Sequence, residues 1–226
     1  MESIAPPRSL VDQAYETILD ALCDGTFQPG VRLTQEDIAA QLKVSRQPVT
    51  QALSILKSQG FLAPAGRRGL TVTAVDPAFL KAIYEFRSVV EPLAVRLATP
   101  RMTQQDIVRG RSLIGQGRNR VLSGDDRGGL QADMDFHFFL YALSGNPLIG
   151  DSMRLNWHHL RRAMGRVLRY PGMSVGVWVE HDRILETMVR GDAEEAADLM
   201  RRHLIEAYER VGKDEAHARP AVPAEG

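Results

Sequence analysis

The sequence predicts a mainly α-helical protein in two parts: an N-terminal winged helix-turn-helix (three helices plus a β-hairpin wing), then an all-α helical bundle. Three observations predict it. The run Thr34 to Gly60 reads as two short helices joined by a tight turn. Residues 61 to 75 carry a strand-like alternation that folds back on itself around glycines. Beyond Asp76-Pro77 the apolar repeats have the helical period. The expected division is residues 1–75 for the first domain, 76–213 for the bundle, and 214–226 for a disordered tail with Pro220 and Pro223.

Taken in order, residues 1 to 9 read as an arm. Val11, Tyr15, Ile18 and Leu22 repeat at helical spacing up to Gly25, a first helix of about four turns. Phe27 to Leu33 reads as a turn. Thr34 can cap the second helix, with Asp37 three residues on in a weak capping box, and Ile38 and Leu42 form its apolar side. Lys43-Val44 make the next turn, and Ser45 can cap the third helix. Val49, Leu53 and Leu56 give that helix one buried stripe, which Gly60 ends. In the hairpin, Leu70, Val72 and Ala74 alternate with polar residues, and Gly66 and Gly69 bracket Arg67-Arg68 at the tip. Six helical segments follow, near 77–98, 104–122, 126–143, 147–169, 174–190 and 193–212. Pro100, Gly124, Gly145-Asn146-Pro147, Pro171-Gly172 and Gly191-Asp192 punctuate them.

Opposite its buried stripe, the third helix carries Arg46, Gln47, Thr50, Gln51, Ser54 and Lys57. A helical hairpin inside an ordinary bundle would show the same stripe, so the stripe alone does not decide. Charge separates the readings. Residues 43 to 75 hold five cations (Lys43, Arg46, Lys57, Arg67, Arg68) and no carboxylate, whereas residues 1 to 42 hold two cations and seven carboxylates. Segregated positive charge is what a face meeting phosphates needs. A major groove admits a helix, and Arg or Gln can pair with base edges there. The second helix of a helix-turn-helix contacts bases from its N-terminal end. Thr34, Ser45, Arg46, Gln47, Thr50, Gln51 and Lys57, with Arg67 and Arg68 on the wing, are therefore the candidate contacts to double-stranded DNA.

The helical half holds a second candidate site. Asp133 and His137 are four apart and share a helix face. His181 shares an apolar side with Leu185 and Met188, and His203 shares one with Leu199 and Ala207. Imidazoles with one carboxylate from separate helices suit zinc, nickel or another divalent first-row ion. On spacing alone a histidine on an apolar face is more often a hydrogen-bonded core residue than a ligand, and only Asp133 with His137 has a local geometric basis.

The 226 residues carry no net charge and are 44% hydrophobic, a globular composition with no global signal for a polyanion or a membrane. The one cysteine, Cys23, excludes an intrachain disulfide and fits a reducing compartment. No apolar run approaches the ~20 residues that span a bilayer, and the first residues lack a signal pattern. A cytoplasmic protein is expected.

Pro29-Gly-Val-Arg-Leu33, Val44-Ser-Arg-Gln-Pro-Val49, Ala52-Leu53, Gly60-Phe61-Leu62 and Arg68-Gly69 resemble the winged helix-turn-helix of GntR-type bacterial transcription regulators. The second half resembles the all-helical FCD domain of their FadR branch. It does so through Arg87-x-x-x-Glu91, Asp133-x-x-Phe-His137, Ser144-Gly-Asn146, His181-x-x-Ile184, Gly191-Asp-Ala193 with Ala196, and Met200-x-x-His203. Six helices place it nearer the VanR-like group. The resemblance covers residues 10 to 212. It implies a homodimeric regulator, expected to be a repressor, that binds a near-palindromic operator and responds to a small organic acid. It further implies a divalent metal, zinc or nickel, held by Asp133, His137, His181 and His203, with the effector carboxylate completing its shell. Arg87 matches an arginine that faces the effector, with a salt bridge to Glu91 as the alternative. The chain departs from the family where Arg-Glu usually follows Pro-Val, because Thr50-Gln51 stands there. Arg and Glu suit guanine and cytosine, while an amide suits adenine, so a different operator is expected. A regulator with a structural metal or none is the first alternative. A metallohydrolase is the second, since zinc can activate water; but Glu180 and Glu186 are not spaced to serve His181, and the DNA-binding half would have no purpose.

Overall fold

The computed structural model describes residues 8–66, 69–167 and 175–218. The chain divides between Val75 and Asp76 into two compact units. Arg67 and Arg68, at the expected tip of the wing, lie outside the described residues.

The first unit runs α1 (Leu10–Cys23), β1 (Arg32–Leu33), α2 (Gln35–Leu42), α3 (Arg46–Ser58), β2 (Leu62–Pro64) and β3 (Leu70–Val72). Ser9 caps α1 by accepting from the Asp12 amide at 3.1 Å. Thr34 caps α2 by accepting from the Asp37 amide at 3.2 Å, and its hydroxyl donates to the Asp37 carboxylate. The turn closes at Lys43, a non-glycine residue at φ 55°, whose amide donates back into the last turn of α2. Ser45 occupies the cap position of α3 with extended backbone, but its hydroxyl makes no capping bond. The residue type permits such a bond, but the side chain does not form it.

The hairpin forms as β2 and β3, antiparallel, with Ala63 opposite Thr71. Here the structure corrects the sequence reading. Arg32–Leu33, read as part of a turn, is a strand pairing with β3 on its other side, giving the order β1-β3-β2. Two residues are too few to show an alternation, and the strand exists because β3 offers it an edge. Ile18, Leu22, Ile38, Val49, Leu53, Leu56, Phe61 and Val72 bury together as the core of this unit. The stripe on α3 therefore faces inward and leaves its polar side to solvent.

The second unit is helical: α4 (Pro77–Ala98), a 3-10 turn over Thr99–Arg101, α5 (Gln104–Leu122), α6 (Asp126–Leu143), α7 (Pro147–Val167), α8 (Val175–Val189) and α9 (Ala193–Ala218). Asp76 caps α4, and Thr103 with Asp106 forms a full capping box on α5. Helix α4 packs along α9, and α5 packs along both α6 and α8. Gly117 permits the last contact, since a Cβ there would lie 1.9 Å from the Trp178 ring. Helix α9 continues to Ala218, so residues 214 to 218, expected in a disordered tail, are helical. Among the described residues, no helix is long and apolar enough to cross a membrane.

Candidate functional site

Arg46, Gln47, Thr50, Gln51, Ser54 and Lys57 all lie exposed along α3, opposite Val49, Leu53 and Leu56, which are at most 1% exposed. A shallow cleft of about 460 Å³ beside them is lined by Thr34, Glu36, Thr50, Ser54, Lys57 and Leu70, among others. Thr34, Thr50 and Lys57 thus share one concave surface with the base of the wing. Two details were not legible in the sequence. Arg46 is paired with Glu36 of α2 at 3.0 Å, with both side chains largely exposed. The Thr50 hydroxyl donates to the Arg46 carbonyl at 2.9 Å, a bond within its own helix. The segregation of charge along the chain is therefore incomplete in space, because Glu36 brings a carboxylate to this face.

Inside the second unit, His137 (α6), His181 (α8) and His203 (α9) come together, each presenting a ring nitrogen within 4.8 Å of the others. All three are at most 5% exposed. His181 Nε2 lies 3.2 Å from His203 Nε2. Asp133 Oδ1 lies 3.5 Å from His181 Nε2 and 3.9 Å from His137 Nε2. Phe136 stacks on His181, and Trp157 packs beside His137, so the cluster has an aromatic wall.

Two carboxylates fix the outer nitrogens. Glu91 on α4 contacts His137 Nδ1 at 2.6 Å, and Glu180 on α8 contacts His203 Nδ1 at 2.6 Å. Each carboxylate is balanced in turn. Glu91 pairs with Arg87 one turn earlier, and Glu180 takes two bonds from Arg210 at 2.8 and 2.9 Å. Burial alone would raise the Glu91 carboxyl, but Arg87 and His137 hold it below the usual range, so it is ionised. Glu180 is brought to about 2 because its bonds to His203 and Arg210 outweigh its partial burial. An ionised acceptor at Nδ1 makes that nitrogen the donor, so in a neutral imidazole it is Nε2 that keeps the lone pair. Burial, with the neighbouring His203 and His137, holds His181 well below its ordinary value. His203 is also lowered, since burial outweighs the Glu180 bond. Both are neutral at physiological pH, the form that ligates metals.

The donor set fits a divalent ion. His137 Nε2 is buried with no hydrogen-bond partner among the described residues. A buried polar nitrogen without a partner is costly unless something completes it. Arg87, expected at the effector, is 2% exposed, paired with Glu91 and stacked 4.4 Å over the Trp157 ring. The salt bridge read from its spacing is present, and it is buried against the cluster rather than on the surface. Tyr84, raised to about 12 chiefly by burial, packs beside Arg87, and its hydroxyl has no partner among the described residues. Sequence reasoning missed Glu91 and Glu180 as histidine partners. They sit on other helices, 46 and 23 residues away from the rings they hold, where no periodicity rule reaches.

A winged helix-turn-helix with a polar reading face, joined to an all-helical domain, defines the class of DNA-binding transcription regulators. The model for "Bacterial regulatory proteins, gntR family" matches residues 10–72, and that for the FCD domain matches residues 82–206. The chain belongs to the GntR family, in its FCD-containing branch, and is a regulator rather than an enzyme. It is 39% identical over 129 residues to the Nta operon transcriptional regulator of Aminobacter aminovorans, a match spanning 57% of this chain and 60% of that protein, less than two thirds of it. It is 31% identical over 193 residues to an uncharacterized regulator of Streptomyces ambofaciens, covering 84% of this chain and 80% of the relative. The fold is that of E. coli McbR/YncC, with a TM-score of 0.82, 22% identity, and coverage of 92% of this chain and 100% of that one. A GntR regulator from Rhodococcus sp. RHA1 superposes with a TM-score of 0.79 at 27% identity, over 91% of this chain and 99% of that one.

Proposed function

We propose that this regulator reads operator DNA as a homodimer and represses transcription in the cytoplasm, where that DNA lies. A small carboxylate effector controls it through a divalent ion, zinc or nickel, held by Asp133, His137, His181 and His203. One observation carries the reading: imidazole nitrogens from three helices meet within 4.8 Å of one another, and His137 Nε2 among them makes no hydrogen bond among the described residues. Such an ion would supply the positive charge that attracts a carboxylate oxygen. Glu91 and Glu180 orient the imidazoles, Arg87 contributes charge on the same wall, and Phe136 and Trp157 exclude water. On the DNA side, Arg46, Gln47, Thr50 and Gln51 meet base edges, while Thr34, Ser45, Lys57, Arg67 and Arg68 meet phosphates. The effector shifts operator affinity by its differential affinity for two arrangements of the protein, typically 5- to 150-fold.

The test is elemental analysis of untagged protein, followed by operator binding with and without small carboxylates. About one divalent ion per chain, lost in His181→Ala together with the effector response while folding survives, is the expected outcome. A second reading has its own support: at 3.2 Å, His181 and His203 can bond to each other with no ion present. Failure to take up zinc or nickel, with effector response retained, would establish it.

A further inference from the structure

Thr50 lies at the middle of the exposed side of α3, with Arg46 and Ser54 four residues to either side and Gln47 and Gln51 beside it. Its hydroxyl proton is already committed to the Arg46 carbonyl at 2.9 Å. This back-bond is a common fate of threonine in helices, and it fixes the side chain, since the two heavy atoms on a β-branched Cβ turn together. With its proton tied to the preceding turn, the hydroxyl can no longer donate to a base and keeps only its acceptor lone pairs, while the γ-methyl stays open to apolar contact on this face. Gln47 and Gln51 are exposed on the same helix and carry amides that can both donate and accept.

We propose that Thr50 is a specificity-determining residue that reads a thymine by apolar contact with its 5-methyl group, and that Gln51 beside it takes an adenine. The inference rests on the reading that α3 enters the major groove. There the C5-methyl distinguishes thymine, while a glutamine amide matches the acceptor and donor of adenine. The two neighbours thus favour A·T pairs. Losing one methyl contact costs roughly three- to five-fold in affinity per half-site, and roughly ten- to twenty-fold when both half-sites of a dimer change.

The experiment uses the full chain to select duplexes from a random-sequence library. The best-bound duplex is then remade with deoxyuracil replacing its thymines, one symmetric pair at a time. One pair is expected to show the ten- to twenty-fold loss with unmodified protein. Thr50→Val, which keeps methyl groups and lacks the hydroxyl, should still discriminate thymine from deoxyuracil there. Thr50→Ser, which keeps the hydroxyl and lacks the methyl, should bind the thymine duplex more weakly and no longer discriminate. If no thymine methyl matters, or if the serine variant binds normally while the valine variant fails, the methyl contact is wrong although α3 reads bases. If selection enriches no sequence at all, base reading by α3 fails, and this inference goes with it.

Discussion

In the first unit the described residues expected to meet DNA lie exposed, apart from the half-buried Thr34, over a core whose buried members are apolar. In the second unit the corresponding candidates lie on the inside: Arg87, Glu91, Asp133, His137, His181 and His203 are all at most 5% exposed. The first arrangement costs little, because water solvates the polar groups until DNA replaces it. The second forces every charge to find a partner, since an unpaired buried ion costs several kcal/mol. The relays Arg87–Glu91–His137 and Arg210–Glu180–His203 are the result. An exposed reading face therefore tolerates substitution one residue at a time, whereas a buried cluster behaves as a unit.

The contrast makes ordered predictions. The largest effect is expected for Glu91→Ala, which leaves Arg87 buried beside His137 without its counter-charge; about 3–5 kcal/mol of stability should be lost in urea unfolding of metal-stripped protein. A loss under about 1 kcal/mol would mean that the interior is wetter than the comparison assumes. Next, Gly117→Ala pushes a methyl into the Trp178 ring and should cost about 1–3 kcal/mol by thermal unfolding. Glu180→Gln removes the ionised acceptor from His203 and should weaken zinc binding about 10- to 100-fold by competition with a chelator. The smallest change in stability belongs to the other unit. Lys57→Ala should alter unfolding by no more than about 0.5 kcal/mol, yet reduce the slope of log affinity against log salt by about one. If Lys57→Ala destabilised as Glu91→Ala does, the distinction between the units would collapse.

Legibility in the sequence follows the same line. The bounds of α5 and α6 match the segments read from Gly124 and from the 3.6-residue period, because each signal is local. Strand β1 was not legible, since Arg32 and Leu33 pair only because Thr71 and Leu70 come opposite them. In the buried cluster, Asp133 and His137 share a face by spacing alone. That His181 and His203 meet them is a tertiary fact, which family resemblance suggested and periodicity did not. Arg87–Glu91 was legible as a pair four residues apart, but its burial against Trp157 was not. Side-chain commitments such as the Thr50 back-bond, and the cap that Ser45 does not make, depend on rotamers that composition leaves undetermined.

Lys43 has a further consequence. Held at φ 55°, an L-residue gives up about 1–2 kcal/mol relative to the right-handed region. Glycine would remove that strain, but it loses more backbone freedom on folding, about 0.5–1 kcal/mol. The second term offsets about half of the first. The turn between α2 and α3 therefore holds a cation in place of glycine at a net cost of about 0.5–1 kcal/mol, reduced to that level because the stiffer unfolded chain around Lys43 has fewer conformations to abandon as the helix pair forms.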